Sequence, residues 1–360
     1  MPLLPNRDEL GSSQLWGLVI LLIAVAALIS LPLWGGGAEM RLVVEFCYYL
    51  ALAQAWNLLA GYSGIVSVGQ QAFVGLGSYA FLVATVFLGL SPLLAVPVAG
   101  VVPALIAIPC AILMFRLQGA YLAIGTWALA EIFRLLFTQI KIFGAGTGMS
   151  LPISIIREIS PDRASRDLII YYLGVGIGVG SVLLVFLLLR SRAGLALTAV
   201  RDSESAAASV GINRYRMRLM VYAVAAAIAG LVGALVILQK LRITPGAAFS
   251  VLDWSANVIF IVVIGGVATI EGPIIGAIVF FVLRSALADY GSWYLVALGL
   301  VAVVVMIKAP KGIWGYVAER FDWHLFPIQR RVNLDELRPK QHSIPFVKSE
   351  SRPEMRKDSP

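Results

Sequence analysis

Long apolar runs alternate with short polar connections along most of this chain. The runs are near 20 residues in length, which is what a helix needs to cross the hydrocarbon core of a membrane. The pattern therefore predicts an all-α polytopic membrane protein with about ten transmembrane helices, and the two short runs within 255–288 fit either full spans or re-entrant segments. The predicted spans are residues 14–33, 42–60, 61–79, 92–114, 121–138, 168–190, 219–239, 255–270, 273–288 and 292–308.

The central loop, residues 190–218, is the one long basic segment inside this apolar region, and it orients the chain. It holds six arginines against two acids. Short arginine-rich loops stay on the cytoplasmic side of a membrane. Six predicted spans precede the loop and four follow it, so both termini are expected in the cytoplasm. The sequence thus divides into a cytoplasmic N-terminal segment at 1–13, a transmembrane domain at 14–308 and a cytoplasmic tail at 309–360, whose end has a disordered composition.

A short helix is predicted within the central loop. Asp202 or Ser203 can cap its start by accepting a hydrogen bond from a free backbone N–H, the alanines at 206–208 favour the helix, and Gly211 can end it in the left-handed region. About two turns of helix do not persist alone in water, so the segment needs a surface to dock on. The residues themselves fit either an ordinary cytoplasmic loop with a chance alanine run or a docking element for a cytoplasmic partner.

The third predicted span is unusually polar for a lipid-facing helix, because glycines alternate there with serines and glutamines. Polar side chains at membrane depth must find partners or water, and broken helices beside a central cavity are one way to build a transport site. The segment is therefore a candidate lining for a translocation path, although small-residue helix packing uses the same residue types. The candidate path residues are Ser63, Ser67, Gln70 and Gln71.

Composition supports the membrane assignment and narrows the chemistry. Hydrophobic residues make up 59% of the chain and charged residues 13%, against about 25% charged in a soluble domain. The net charge of +8 follows the positive-inside bias, so no nucleic-acid partner is expected. With two cysteines in apolar runs, two histidines in or near the tail and no GxxxxGK[ST] motif, no catalytic residue, metal site or ATPase site is predicted.

Three stretches carry a family resemblance: NLLAGYSGIVSVGQQAFVGLGSYA at 57–80, AVRDSESAAASVGINRYRMRLMVYAVAAAIAGLVGAL at 199–235 and VIGGVATIEGPIIGA at 263–277. They resemble the permease subunits of bacterial ATP-binding cassette (ABC) importers for branched-chain amino acids, the LivM type. The middle stretch is the most specific, because it looks like the coupling loop of importer permeases, with their EAA-xxx-G pattern falling at 205–211. The resemblance covers most of the membrane domain and leaves out the tail.

The resemblance implies an ABC transporter permease in the bacterial cell inner (plasma) membrane. Such a permease translocates branched-chain or other hydrophobic amino acids by alternating access. Its implied partners are a second related permease subunit, two cytoplasmic ATPase subunits that use ATP, a periplasmic substrate-binding protein, the amino acid substrate and membrane lipid, and the chain itself needs no cofactor. The implied residues of the ATPase-coupling loop are Arg201, Glu204, Ser205, Ala206, Ala207, Gly211 and Arg214.

Two departures from the family pattern stand out. Ser205 replaces the usual first residue of the EAA pattern, with Glu204 one place early, and Gln70 stands where relatives commonly have histidine. Under this interpretation a large side chain at Ala207 or Gly211 would leave the permease folded but uncouple it from its ATPase.

Three alternatives remain at this stage. The same importer class includes carriers of urea, short amides or aromatic acids. A secondary transporter would work without ATPase subunits, but such carriers need ionisable residues deep in their spans, and the candidates are Glu131, Arg134 and Arg284. A membrane-embedded enzyme would need a nucleophile, metal or acid–base cluster at membrane depth, and no histidine lies in any predicted span.

Overall fold

The computed structural model describes residues 12–287, 291, 293–309 and 311–321. Most of the predicted segment 1–13 and of the predicted tail 309–360 therefore lies outside the described residues. The helices are α1 Ser12–Ser30, α2 Gly37–Asn57, α3 Gln70–Leu82, α4 Pro92–Met114, α5 Ala120–Gln139, α6 Ile153–Ile159, α7 Arg163–Arg190, α8 Arg192–Asp202, α9 Glu204–Ser209, α10 Arg214–Lys240, α11 Pro245–Ala248, α12 Asn257–Gly265, α13 Glu271–Leu287, α14 Trp293–Lys308 and α15 Gly312–Phe321. The strands are β1 Met149–Ser150 and β2 Arg242–Ile243.

Within the described residues, eight helical stretches are long and apolar enough to cross a membrane, which confirms the all-α polytopic fold class. Wider π-helical turns extend α2 and α3 and precede α12. Of the other two predicted spans, the first contains a shorter apolar helix and the ninth corresponds to the 17-residue α13. The count of ten spans stays a prediction. The eight stretches are Gly37–Tyr62, Gln70–Phe87, Pro92–Met114, Ala120–Gln139, Arg163–Arg190, Arg214–Lys240, Pro245–Gly265 and Leu295–Arg320.

Helix α10 lies at the centre of the packing, where it contacts α3 and α4 most extensively and also α2 and α7. Small residues allow this, because without large side chains the backbones approach closely. Gly77 of α3 lies against the backbone of Gly230, and Gly233 lies against Val74 and Ser78. The Ser78 hydroxyl bonds the Gly233 carbonyl at 2.9 Å. Gly77 of the third predicted span therefore serves helix packing.

The bundle has two distinguishable ends. At the loop end, α7 finishes and α10 begins, and the central loop joins them. At the far end, the start of α2 meets the start of α7 through Arg41 and Asp167, 3.6 Å apart. The end of α10 arrives there too, where Gln239 Nε2 donates to the carbonyl of Arg41. Helices α2 and α7 therefore run in the same direction, and α10 runs against them.

The two connections at the far end pair with each other. Strand β1 and strand β2 form a short antiparallel pair in which Met149 faces Ile243. After β1 and α6, Asp162 caps α7 by accepting a hydrogen bond from the Ser165 amide at 3.0 Å. That hydrogen bond lowers the pKa of the Asp162 carboxyl. The two loops thus form one ordered surface.

One interhelical ion pair ties α13 to α2. Arg284 Nη1 lies 2.7 Å from Glu45 Oε1, and the two side chains are 41% and 28% exposed. Phe281 of α13 also contacts Phe46 and Tyr49 of α2 edge-on. Charge and ring contacts together hold the two helices in register.

The approach of α3 to α10 makes a specific stability prediction. A Cβ placed on Gly77 would meet backbone atoms of Gly230, which cannot rotate away, so Gly77→Ala is expected to destabilise the protein by about 1–3 kcal/mol. The control is Gly176→Ala on α7, where a Cβ meets nothing within 4 Å. Thermal unfolding of both purified variants checks this, and equal midpoints would contradict the packing argument.

Candidate functional site

The central loop folds into two short helices, α8 and α9, where the sequence predicted only the second. Gly194, Leu197 and Val200 are buried at intervals of three, so α8 lays one face on its neighbours. Those neighbours are α7, α9, α10 and the π-helical turn Leu58–Tyr62 that ends α2. The loop is therefore packed against the spans that it follows and precedes.

The predicted short helix is present as α9, and local sequence accounts for both of its ends. At the start, Ser203 Oγ accepts from the Ala206 amide at 3.3 Å, whereas Asp202 is the last residue of α8. At the finish, Gly211 has a φ of +80°. Its amide bonds the carbonyl of Ala208, and the amide of Ile212 bonds that of Ala207, both at 3.0 Å. This pair of bonds is a Schellman motif.

The predicted coupling-loop residues divide into a buried and an exposed group. Ala207 is only 2% exposed, since it faces the rest of the chain. Ser205, Ala206 and Gly211 are exposed, and so is Arg214 at the start of α10. Val210, which the sequence analysis did not single out, is 74% exposed. Glu204 is the first residue of α9. The exposed side chains of α9 thus form a small and partly apolar surface.

Arg201 joins the central loop to the end of α2. Its Nη1 donates to the carbonyl of Gly61 at 3.2 Å, and its Nε donates to Asp202 at 3.0 Å. The sequence predicted Arg201 as a loop residue, and the structure brings it to the polar segment that the sequence predicted separately.

That polar segment interrupts the helices, as the glycines and serines suggested. Helix α2 ends in its π-helical turn, Gly64 has a φ of +69°, and α3 begins only at Gln70. Side chains from elsewhere bond the freed backbone. Trp56 Nε1 donates to the Ser67 carbonyl at 2.7 Å, and the Val68 amide donates to Thr126 Oγ1 of α5 at 3.1 Å.

The four predicted path residues are all buried, each 2% exposed or less. Ser63 Oγ donates to the Leu59 carbonyl, and Ser67 Oγ accepts from the Gly69 amide. Gln70 Nε2 donates to the Leu52 carbonyl of α2 at 3.1 Å. Gln71 Oε1 accepts from Ser255 Oγ. In this conformation they lie inside the protein and do not line an open channel.

Three buried glutamines each have a hydrogen bond at one amide atom and none at the other. Within the described residues, Gln70 Oε1, Gln71 Nε2 and Gln54 Oε1 have no hydrogen-bond partner. A buried polar atom left unpaired costs about 1–3 kcal/mol. The interior around the helix break therefore holds unused hydrogen-bonding capacity.

Asn57 is a site residue that the sequence analysis missed. Its Nδ2 donates to the Thr269 carbonyl at 2.6 Å, and its Oδ1 accepts from the Ala268 amide at 2.8 Å. Gln54 donates to the next carbonyl, that of Ile270, at 2.8 Å. Ala268 has a φ of +62°, a strained value for alanine that the clamp helps to hold. An asparagine inside an apolar run was the available signal.

The ionisable residues named for a secondary transporter all have partners. Arg134 donates to Glu131 one turn earlier on α5, with its Nε 2.9 Å from Glu131 Oε1. Arg284 pairs with Glu45. Both pairs are partly exposed, so each is accounted for as a structural ion pair.

Comparisons with known proteins identify the family of this chain. Residues 40–309 match the model of a family described as branched-chain amino acid transport system / permease component. The chain is 28% identical over 334 residues to the high-affinity branched-chain amino acid transport system permease protein LivM of Salmonella typhimurium, covering 86% of this chain and 77% of the relative. Its counterpart from Escherichia coli K12 is 28% identical over 333 residues, with the same shares covered. No solved structure matches the chain.

The family model covers most of the chain and includes both the central loop and the helix break. Together with the long apolar helices, this match identifies a polytopic protein of the cell inner membrane and confirms the resemblance drawn from the three sequence stretches. The chain belongs to the family of permease components of branched-chain amino acid transport systems.

Proposed function

We propose that this chain is the transmembrane permease subunit of an ABC importer that translocates branched-chain or other hydrophobic amino acids by alternating access. Family membership and the two curated relatives support the substrate class. The arginine-rich central loop supports a cytoplasmic loop end. ATP is used by two separate ATPase subunits, a second related permease completes the membrane part, and a periplasmic binding protein delivers the substrate at the far end.

The observation that carries the coupling proposal is the hydrogen bond from Arg201 to the Gly61 carbonyl. Arg201 is the second-to-last residue of α8 and lies two residues before Ser203, the cap of α9, so it moves with the helix that an ATPase subunit would contact. Gly61 lies four residues beyond Asn57, which clamps Ala268 and Thr269. A displacement of the central loop is therefore transmitted to the helix break and to the connection between α12 and α13.

The exposed face of α9 suits a partner groove. Ala206 and Ala208 are small, and Val210 offers apolar surface at the end of the helix. Small side chains let the helix sit deep in a groove on an ATPase subunit. Closure of the ATPase dimer on ATP would then favour one of two permease conformations, which is a population shift driven by differential binding.

The translocation path is proposed to run beside the helix break. Ser63, Ser67, Gln70 and Gln71 are closed off here, so alternating access must expose them in another conformation. The unpaired amide atoms of Gln70 and Gln71 would then gain partners from water or substrate. A neutral hydrogen-bonding path fits neutral amino acids, and it fits urea or short amides equally. The substrate must therefore be identified by measuring transport.

The test of the function is uptake of radiolabelled leucine into vesicles that hold this chain with the other subunits of its transport system. We expect uptake to require ATP and the binding protein, and excess isoleucine or valine to compete. ATP-dependent transport competed only by urea, amides or aromatic acids would retain the importer and overturn the substrate class. Uptake that persists without the ATPase subunits would overturn the importer.

The proposed coupling route predicts an effect of Arg201→Ala. A hydrogen bond from a charged donor contributes about 1.5–3 kcal/mol, so leucine uptake per ATP hydrolysed is expected to fall about tenfold or more while ATP hydrolysis continues. The control is Arg192→Ala, which removes the same charge from the exposed start of α8. Equal coupling ratios in the two variants would reject the route through Gly61.

Because Ala207 is buried, docking of α9 on an ATPase subunit is better tested at the exposed Ala206 than at Ala207. Ala206→Trp, on the exposed face, is expected to keep the unfolding temperature and to abolish stable binding of the ATPase subunit, because the indole holds α9 out of its groove. Ala207→Trp would instead force α9 off its neighbours and lower the unfolding temperature, and Gly211→Trp would strain a left-handed residue. Co-purification of the ATPase subunit with each variant measures this, and normal binding by Ala206→Trp would contradict the docking face.

A further inference from the structure

A cleft opens at the far end of the bundle, away from the central loop and the helix break. It lies between the start of α2, the start of α7 and the end of α10, and its volume is about 340 Å³. That volume is within the range of small-ligand pockets. The lining residues are Met40, Arg41, Val44, Arg163, Arg166, Asp167, Ile170, Leu238, Gln239 and Leu241.

The polar wall of the cleft is cationic. It holds three arginines against one acid, Asp167, which pairs with Arg41 at 3.6 Å. Among the described residues, neither Arg163 nor Arg166 forms an ion pair or a side-chain hydrogen bond. Both lie in the first turn of the 28-residue α7, where the helix dipole adds positive potential. The nearby carboxylate of Asp162 is engaged with the Ser165 amide. The cleft therefore favours an anion.

The rest of the cleft is apolar. Met40 and Val44 come from α2, Ile170 from α7 and Leu238 from α10. A small hydrated anion would leave this surface unused, whereas a molecule with a charged head and an apolar body would cover both parts. The occupant that matches the cleft is thus amphipathic.

The cleft also lies at the level where a membrane meets water. Trp34 precedes α2 and is 71% exposed, and Tyr172, two residues beyond Ile170, is exposed on α7. Exposed tryptophan and tyrosine mark the headgroup level of membrane proteins. On the matrix or cytoplasmic side of membranes, basic pockets between transmembrane helices bind anionic lipid headgroups, and the same pairing of arginine with phosphate applies to a basic pocket at this end. Arginine matches the geometry of a phosphate better than lysine does, because its planar guanidinium donates two parallel hydrogen bonds.

We propose that this cleft binds an anionic phospholipid from the leaflet at the far end. Arg163 and Arg166 hold the phosphodiester, and the glycerol and the upper part of one acyl chain lie against Met40 and Ile170. The bound lipid contacts α2, α7 and α10 at the end of the bundle away from the central loop, where Arg41 already connects the three helices. This assignment is independent of the transport substrate and of the coupling route.

The test compares lipid binding to the purified full-length chain by native mass spectrometry and thermal unfolding, with phosphatidylglycerol against phosphatidylcholine. We expect selective binding of phosphatidylglycerol and a rise in unfolding temperature with that lipid. Arg163→Gln with Arg166→Gln should weaken phosphatidylglycerol binding about tenfold or more. The matched control is Arg157→Gln with Arg192→Gln, which removes two charges from exposed positions outside the cleft and should leave affinity unchanged.

A second variant keeps the test informative if the double substitution disturbs folding. Arg163→Glu places an acid in the first turn of α7, which favours the helix, while it repels a phosphate, so lipid selectivity should be lost without loss of stability. Equal losses of phosphatidylglycerol affinity in the cleft and control variants would show that only the overall charge matters, which would overturn the proposal. Displacement of phosphatidylglycerol by inorganic phosphate at the same concentration would make the cleft a simple anion site. Unchanged lipid affinity in the double variant, with weaker binding of the periplasmic subunit, would reassign the cleft to a protein partner.

Discussion

An apolar surrounding offers no water to a backbone N–H or C=O, so a helix that is interrupted within a membrane must find its hydrogen bonds inside the protein. This chain interrupts a helix between α2 and α3 and satisfies the freed groups from distant elements. Trp56 bonds the Ser67 carbonyl, Thr126 accepts from the Val68 amide, and Arg201 donates to the Gly61 carbonyl. Each unmet group would cost several kcal/mol in hydrocarbon, so α2, α5 and α8 are held where these bonds can form.

The same constraint joins the two candidate functional regions. The central loop cannot move far without disturbing its bond to Gly61, and the end of α2 cannot move without disturbing the Asn57 clamp on Ala268 and Thr269. Around this junction, close contact of α10 with α3 at Gly77 and Gly230 makes a packed unit. A permease needs groups of helices that move as units and a connection between those units that can change. The helix break before α3 is such a connection, because single hydrogen bonds hold it instead of continuous helix packing.

Features that depend on neighbouring residues could be predicted from the sequence. The apolar runs predicted the long helices because the length of each run matches the thickness of a membrane. Ser203 and Gly211 predicted α9 because capping residues act on backbone groups only a few residues away. Serine, glutamine and glycine inside an apolar run pointed to the break before α3. The first helix of the loop was missed, because its buried face of Gly194, Leu197 and Val200 has meaning only once its neighbours are known.

The sequence by itself therefore determined the membrane class, the order of the helices, the basic central loop and the polar segment at 61–79. Only the tertiary structure decided that Ala207 faces inward, that Asn57 clamps a connection more than 200 residues away and that Arg163 and Arg166 share a cleft with Met40. The reason is physical. Hydropathy, helix propensity and caps act over a few residues, whereas the partner of a buried amide or an arginine is chosen by three-dimensional proximity, which sequence spacing does not reveal.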